Sequence, residues 1–367
     1  MMRQGNQRQS AGDSSTQIQG QTVVVYQGVT EDRAAEIAEY KAKQVIEKFG
    51  LDGRAIAHAR ISSFDEQLVA EFATKGLLET FRDPGFQILL NRAQLQAAST
   101  EDQADHELIT KLLVGRASQR QKTVHLAVSR AVETVDSLDD ETLTGLTLLW
   151  YTLNTQPATT DPLMSLKFRD NAYGKLLQTA PLPSGTRWLD DLDLLGLMNC
   201  DFSQARYLKN LESLAIERRP GLFGRGLAAD EAKHIQDRLR DIDRDLASLL
   251  TPHSLIPGQF RLNVVGKESC QELADSHQLP RDRREKLEEI FEICGIGTVD
   301  QKARDKATEL IEGMPNYSTV RAWFNEFNTS IDVRITAAGV AIAYSNANRF
   351  IDVDGLGTLA EVLDKRK

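Results

Sequence analysis

Polar and apolar positions divide the chain into a short polar segment followed by a long run of helical texture. Residues 1–28 are dominated by Gln, Ser, Thr, Gly and Asn, and their one sustained apolar run is Val23-Val24-Val25-Tyr26. A segment this polar cannot bury enough surface to fold alone. On a strand, Gln17, Gln19, Gln21 and Gln27 share one face and Ile18, Thr22, Val24 and Tyr26 the other, with Val23 and Val25 joining the glutamine side. A lone strand leaves its amides and carbonyls unpaired. The pattern therefore predicts an arm that gains order by strand exchange between copies. Its oligomerisation residues are Ile18, Gln19, Gln21, Thr22, Val23, Val24, Val25 and Tyr26.

From Val29 the period becomes helical. Gly28 offers a hinge, Thr30 a cap, and Glu31 and Asp32 an acidic first turn. Ala34, Ile37, Ala38, Val45 and Phe49 give an apolar stripe that Gly50 is expected to end. Further helices are predicted near Phe64–Phe81, Phe86–Ala98, Asp105–Arg116, Thr123–Thr134, Asp139–Leu153 and Leu227–Leu250. Asp83-Pro84 separates the first two, since aspartate and proline favour a helix start. The Pro/Thr-rich stretch Gln156 to Pro162 is the best domain boundary, with further breaks at Pro181–Gly185 and Arg218–Gly226.

Two stretches in the last third echo each other, Phe260 to Gly266 (FRLNVVG) and Val333 to Gly339 (VRITAAG). Each reads as a short strand turning into a helix, with Asn263 and Thr336 as N-caps and Gly266 and Gly339 in the first helical turn. The helices are expected to reach about Ser276 and Asn348. Leu192–Leu197 closes another helix before a turn. Such units either pack structurally or recognise DNA as winged helices.

The fold class is thus mainly α, with an N-terminal β arm and small strand–helix, winged-helix-like units in the C-terminal third. The domains run 1–28 (arm), 29–155 (helical), 156–250 (helical middle region) and 251–367 (α+β). Apolar residues make up 41% and charged residues 26% of the chain, which is globular composition. No apolar run is long enough for a membrane helix, and the start lacks a signal-peptide core, so the expected location is cytoplasmic, without membrane contact. A net charge of −9 disfavours general phosphate-backbone binding.

The sequence carries no catalytic motif, no metal-site spacing and no cofactor signature. The three cysteines, Cys200, Cys270 and Cys294, form no CxxC pair and read as buried or half-buried thiols. The histidines show no metal-ligand spacing. Cys270 and His277 stand two helical turns apart without a third partner. Asp139-Asp140-Glu141 and Asp190-Asp191-Asp193 read as helix starts rather than metal clusters. Asp352, Asp354 and Gly355 form only a fragment of a calcium loop. Trp150-Tyr151 and Trp323-Phe324 fit core packing or an interface. In RRPGLFGRG, Arg218, Arg219 and Arg225 lie among glycines without the GK[ST] ending of a phosphate loop. That stretch reads as a surface loop or as an anion- or partner-binding loop.

The arm motif, Ala11 to Gly20 and Val23 to Gly28 running into a helix, resembles the start of a group of uncharacterised bacterial proteins known by locus-tag names. The likeness continues at Asp83-Pro84-Gly85-Phe86-Gln87, Leu112–Arg116, Leu143–Leu149, Ile335-Thr336 and Gly339–Ala343. Similar arms front some phage-defence proteins. The resemblance implies a bacterial cytosolic protein, leaves a defence role open and supplies no catalytic residue. The leading expectation is a non-enzymatic, self-assembling scaffold or sensor with a protein partner. The alternatives are a winged-helix-type nucleic-acid-binding regulator and an enzyme with an unrecognised site.

Overall fold

Five aspartates set the beginnings of helices. Asp83, Asp102, Asp139, Asp161 and Asp300 each precede a helix and accept a hydrogen bond from an amide of its first turn. This satisfies a donor that the helix itself leaves unpaired. The computed structural model describes residues 31–201, 210–327, 332–351 and 357–364. The arm residues Ile18 to Tyr26, Gly28, Thr30 and the Asp352–Gly355 fragment fall outside that set.

The helices are α1 (Glu31–Thr74), α2 (Pro84–Ser99), α3 (Gln103–Ala117), α4 (Lys122–Thr134), α5 (Asp140–Asn154), α6 (Pro162–Leu176) and α7 (Arg187–Leu194). After strand β1 (Met198–Asp201) come α8 (Leu211–Glu217) and α9 (Ala229–Ile242), and then strands β2 (Leu250–Pro252) and β3 (Phe260–Leu262). Next follow α10 (Glu268–Ser276), α11 (Arg281–Ile293), α12 (Gln301–Glu312) and α13 (Pro315–Phe327). Strand β4 (Asp332–Ile335), α14 (Ala337–Phe350) and α15 (Leu359–Asp364) complete the described chain. The fold is mainly helical, as the periodicity predicts.

Chain contacts group residues 1–56 and 57–367 into two units. Within the larger unit, α14 packs against α3, α4 and α5. The sequence of α14, AAGVAIAYSNANRF, is small and apolar, so its neighbours approach closely and nine of its residues are buried. Helix α5 is buried along Thr142 to Thr152. A separate, smaller core gathers Ile235 and Leu239 of α9, Leu262 of β3, and Leu287, Ile290 and Phe291 of α11.

The strands form two antiparallel pairs. β1 pairs with β4 in register Met198↔Ile335 to Asp201↔Asp332. β2 pairs with β3 in register Leu250↔Leu262 to Pro252↔Phe260. Thr336 caps α14 as expected, its hydroxyl accepting from the Gly339 amide at 3.2 Å. The other half of the echo differs. Helix α10 begins only at Glu268, after Lys267. Asn263 is no cap, and its amide instead donates to the Leu249 carbonyl at 2.7 Å. Gly266 therefore precedes the helix rather than lying in its first turn.

Two helix boundaries also correct the sequence reading. Gly50 does not end α1, because neither it nor Gly53 adopts the left-handed backbone that closes a helix. Gly76 does, at φ 68°, so α1 stops at Thr74 and a 3₁₀ turn covers Leu78–Arg82. The predicted helix over Leu227–Leu250 breaks after Ile242. Asp243 is extended there, and its carboxylate accepts from the Asp245 amide at 2.9 Å. That local bond competes with continued helix and starts the 3₁₀ stretch Arg244–Leu249.

Candidate functional site

The Pro/Thr-rich stretch after α5 has few ways to pair its own carbonyls, since prolines and extended backbone interrupt helical bonding. Arginines supply the donors. Arg169 on α6 reaches the Thr155 carbonyl at 3.1 Å. Arg218, the residue that ends α8, donates to the carbonyls of Leu153 at 2.6 Å and Thr152 at 3.2 Å. Arg219 donates to the carbonyls of Pro157 at 2.8 Å and Thr159. Arg261 on β3 donates to the carbonyls of Leu262 at 2.9 Å and Thr160. Elements far apart in sequence thus converge on one short segment.

Carbonyl dipoles carry no net charge, so the four guanidinium groups keep theirs. None of the four makes an ion pair with a carboxylate within 4 Å among the described residues. Burial disfavours the charged form of Arg218 and Arg219, and the neighbouring Arg169 adds repulsion to both. Burial also pulls Arg261 down to about 10, against an opposing pull from Asp161. Arg169 is 6% exposed and remains a guanidinium under these conditions. Arg169, Arg218 and Arg219 line a small cavity of about 10 Å³ together with Ser165.

Of the three arginines singled out in the sequence, the fold brings Arg218 and Arg219 into this cluster. Arg225 stands apart, pairing with Glu231 and donating to the Ile293 carbonyl at 2.7 Å. The loop is not on the surface along its length, since Gly221, Leu222 and Phe223 are buried. Arg169 and Arg261 carry no signal in the sequence that places them in the cluster. Arg169 sits within an ordinary helical stretch, and the only hint for Arg261 was its place in the FRLNVVG echo.

His253, 3% exposed, is held beside this region in one tautomer. Its Nδ1 accepts from the Leu255 amide at 3.2 Å, and its Nε2 donates to the Gly224 carbonyl at 3.2 Å. A larger concavity of about 460 Å³ opens beside Lys75, Lys111, Tyr344 and Leu359. Its two lysines share Glu71, at 3.8 and 3.0 Å, so it concentrates less unneutralised charge.

The remaining candidates occupy ordinary structural positions. Asp139 caps α5 by accepting from the Thr142 amide at 2.7 Å. Burial raises the pKa of Asp140, and Asp102, Asp105 and Asp139 add to the shift. Asp193 accepts from the Cys200 amide at 3.2 Å. No group of three or more His, Cys, Asp or Glu among the described residues is arranged to hold a metal ion. Burial pushes the Cys270 thiol up to about 11, with Glu288 adding to it, which disfavours a thiolate. His277 lies 3.4 Å from Asp243. Trp150, Tyr151, Trp323 and Phe324 are buried, and Trp323 donates to the Pro183 carbonyl at 2.9 Å.

No described helix is long and apolar enough to cross a membrane. No curated protein and no solved structure matches the chain. The model of an uncharacterised family, known by a locus-tag name, matches residues 28–356. The motifs at Asp83, Leu112, Leu143 and Ile335 lie inside that stretch, and the arm motif Ala11 to Gly20 lies before it. The chain belongs to this family.

Proposed function

We propose that this protein is a non-enzymatic, self-assembling scaffold or sensor of the bacterial cytoplasm, its copies joined through the N-terminal segment. One observation carries this reading. Between Ala42 and Ile56, α1 presents Ala42, Ile46, Phe49, Gly53 and Ile56 on one face, at alternating spacings of four and three, with Val45 beside Ile46. All are exposed, Ile46 and Phe49 at 69% and 67%. A stripe with this period is the seam of a helix pair.

The occupant we assign is the same stripe of a second copy. A two-fold axis through Phe49 places Ala42 opposite Ile56 and Val45 opposite Gly53, a small side chain against a large one in each case, while Phe49 meets its own copy and Ile46 lies opposite Asp52. An interface that repeats one patch on both partners is the usual way two identical chains associate. The arm that precedes α1 carries the strand pattern from Ile18 to Tyr26, and it extends the same interface. The likeness of that arm to those of phage-defence proteins supports a place in antiviral defence. The helical body would then meet a protein partner.

Light scattering on the full chain tests the reading. The wild type is expected as a dimer or larger assembly. Phe49→Asp, at an exposed position, and deletion of residues 1–28 are each expected to lower the mass. A monomeric wild type, or a mass unchanged in both variants, would sink the proposal. A DNA titration that tightens as salt is lowered would favour the nucleic-acid-binding alternative instead, because phosphate contacts release counterions.

A further inference from the structure

We infer that the cavity between α6 and α8 is a binding site for a single halide-sized anion, held by Arg169, Arg218 and Arg219. Three observations converge on it. The first is charge. The three guanidinium groups line one cavity, and their hydrogen bonds go to backbone carbonyls and to the Tyr173 hydroxyl rather than to a carboxylate. Like charges brought together away from water repel, and neutral dipoles offset only part of that cost.

The second observation is donor capacity. Each guanidinium has five N–H groups. Arg218 commits only Nη1, to the Thr152 and Leu153 carbonyls. Arg219 commits one N–H of Nη1 and one of Nη2, which leaves the second N–H of each and its Nε–H. The Ser165 hydroxyl, on the first turn of α6, also lines the cavity, and the side chain is 8% exposed. The residues that line the cavity thus offer both charged and neutral donors.

The third observation is size. A volume of about 10 Å³ admits roughly one water-sized guest. That excludes a whole phosphate or a nucleotide, while chloride, somewhat larger than water, enters with a small outward shift of the lining side chains. Arg225, tied to Glu231, stands outside the cavity and serves as an internal control.

The test uses the full chain. Thermal unfolding is followed in sodium chloride and in sodium gluconate at matched ionic strength, with chloride line-broadening by NMR as a direct reading of binding. The midpoint is expected to climb with chloride concentration and not with gluconate, because a ligand that binds only the folded state stabilises it by mass action. Ser165→Val fills the cavity with methyl groups without touching a carbonyl clamp. It should abolish both the chloride-dependent shift and the broadening, while Arg225→Gln keeps both. Equal midpoints in the two salts for the wild type would overturn the inference, as would a chloride response that persists in Ser165→Val. If Ser165→Val proves unstable, Arg219→Gln supplies the second variant, read by the slope of its midpoint against chloride rather than by the midpoint itself.

Discussion

Asn346 on α14 donates through Nδ2 to the Thr147 hydroxyl on α5 at 2.9 Å, with both side chains buried. The Thr147 hydroxyl in turn donates a hydrogen bond to the Leu143 carbonyl at 2.7 Å. The Asn346 side-chain oxygen accepts from Arg349 at 2.9 Å, and Arg349 pairs with Glu107 of α3 at 3.3 Å. One polar chain therefore ties three core helices together.

Asn346→Leu removes the centre of that chain and leaves Arg349 Nη1 without its acceptor, while Glu107 still pairs with the rest of the guanidinium. The expected loss is about 2–3 kcal/mol in urea unfolding, the cost of stranding a buried polar group. Thr147→Val should cost less, on the order of 1 kcal/mol, since Asn346 keeps Arg349. A double-mutant cycle should show coupling of roughly 1 kcal/mol, and strict additivity would show that the bond contributes nothing.

Gly339→Ala tests how closely α14 approaches the turn after α7. A Cβ there would collide with the Leu197 carbonyl oxygen and approach Ile335 Cγ2 to 2.8 Å. Backbone cannot move aside as a flexible side chain can, so a loss of about 3 kcal/mol is expected. Gly50→Ala is the control. Its Cβ would meet nothing, and the helical content should stay level or rise.

His253 sets an acid limit on stability. Burial, the largest effect, depresses its pKa below the ordinary histidine value; the bond to the Gly224 carbonyl pulls it part of the way back, Arg261 adds to the depression, and Asp300 and Asp161 oppose it more weakly. The folded state then binds the proton less readily than the unfolded state does. The stabilising contribution is complete above the unfolded value, about 6.5, and is lost as pH falls from there through the folded pKa. Thermal midpoints measured downward from neutral pH should show this decline. His253→Gln should start lower and decline less, because the amide can keep one donor and one acceptor without titrating.

The thiols behave in the opposite sense. Burial pushes Cys200, Cys270 and Cys294 each up to about 11. An unfolded thiol titrates near 8.5, so their contribution is full below about 8.5 and lost as pH rises through about 11. Near neutral pH the native protein should react sluggishly with a disulfide reagent, and urea should release all three thiols at once. Fast labelling of the native chain would show that these groups are not sequestered.

Helix starts were legible because they depend on local chemistry. Asp83-Pro84 and Asp139 act within three residues of themselves, so their role shows in the text of the chain. The helix end at Gly76 was harder to find than Gly50 suggested, because a glycine ends a helix only where the backbone turns left-handed. The break after Ile242 depended on one aspartate choosing a local bond over the next helical turn. The arginine cluster was half legible, through Arg218 and Arg219 in a glycine-rich loop. Nothing in the spacing of Arg169 or Arg261 announced that they would meet there.

The sequence by itself determined the mainly helical class and most helix starts, because periodicity and capping are short-range effects of neighbouring residues. Its small and apolar residues suit α14 to burial on nearly every side, but packing decided its place against α3, α4 and α5. Tertiary structure decided which polar groups meet. The carbonyls of Thr152 to Thr160 acquire donors from α6, from the two arginines that follow α8 and from β3, and Asn346 finds Thr147 across a separation of 199 residues. Such pairings are settled by the packing of whole elements, in which burial compels each polar group to find a partner wherever the fold has placed one.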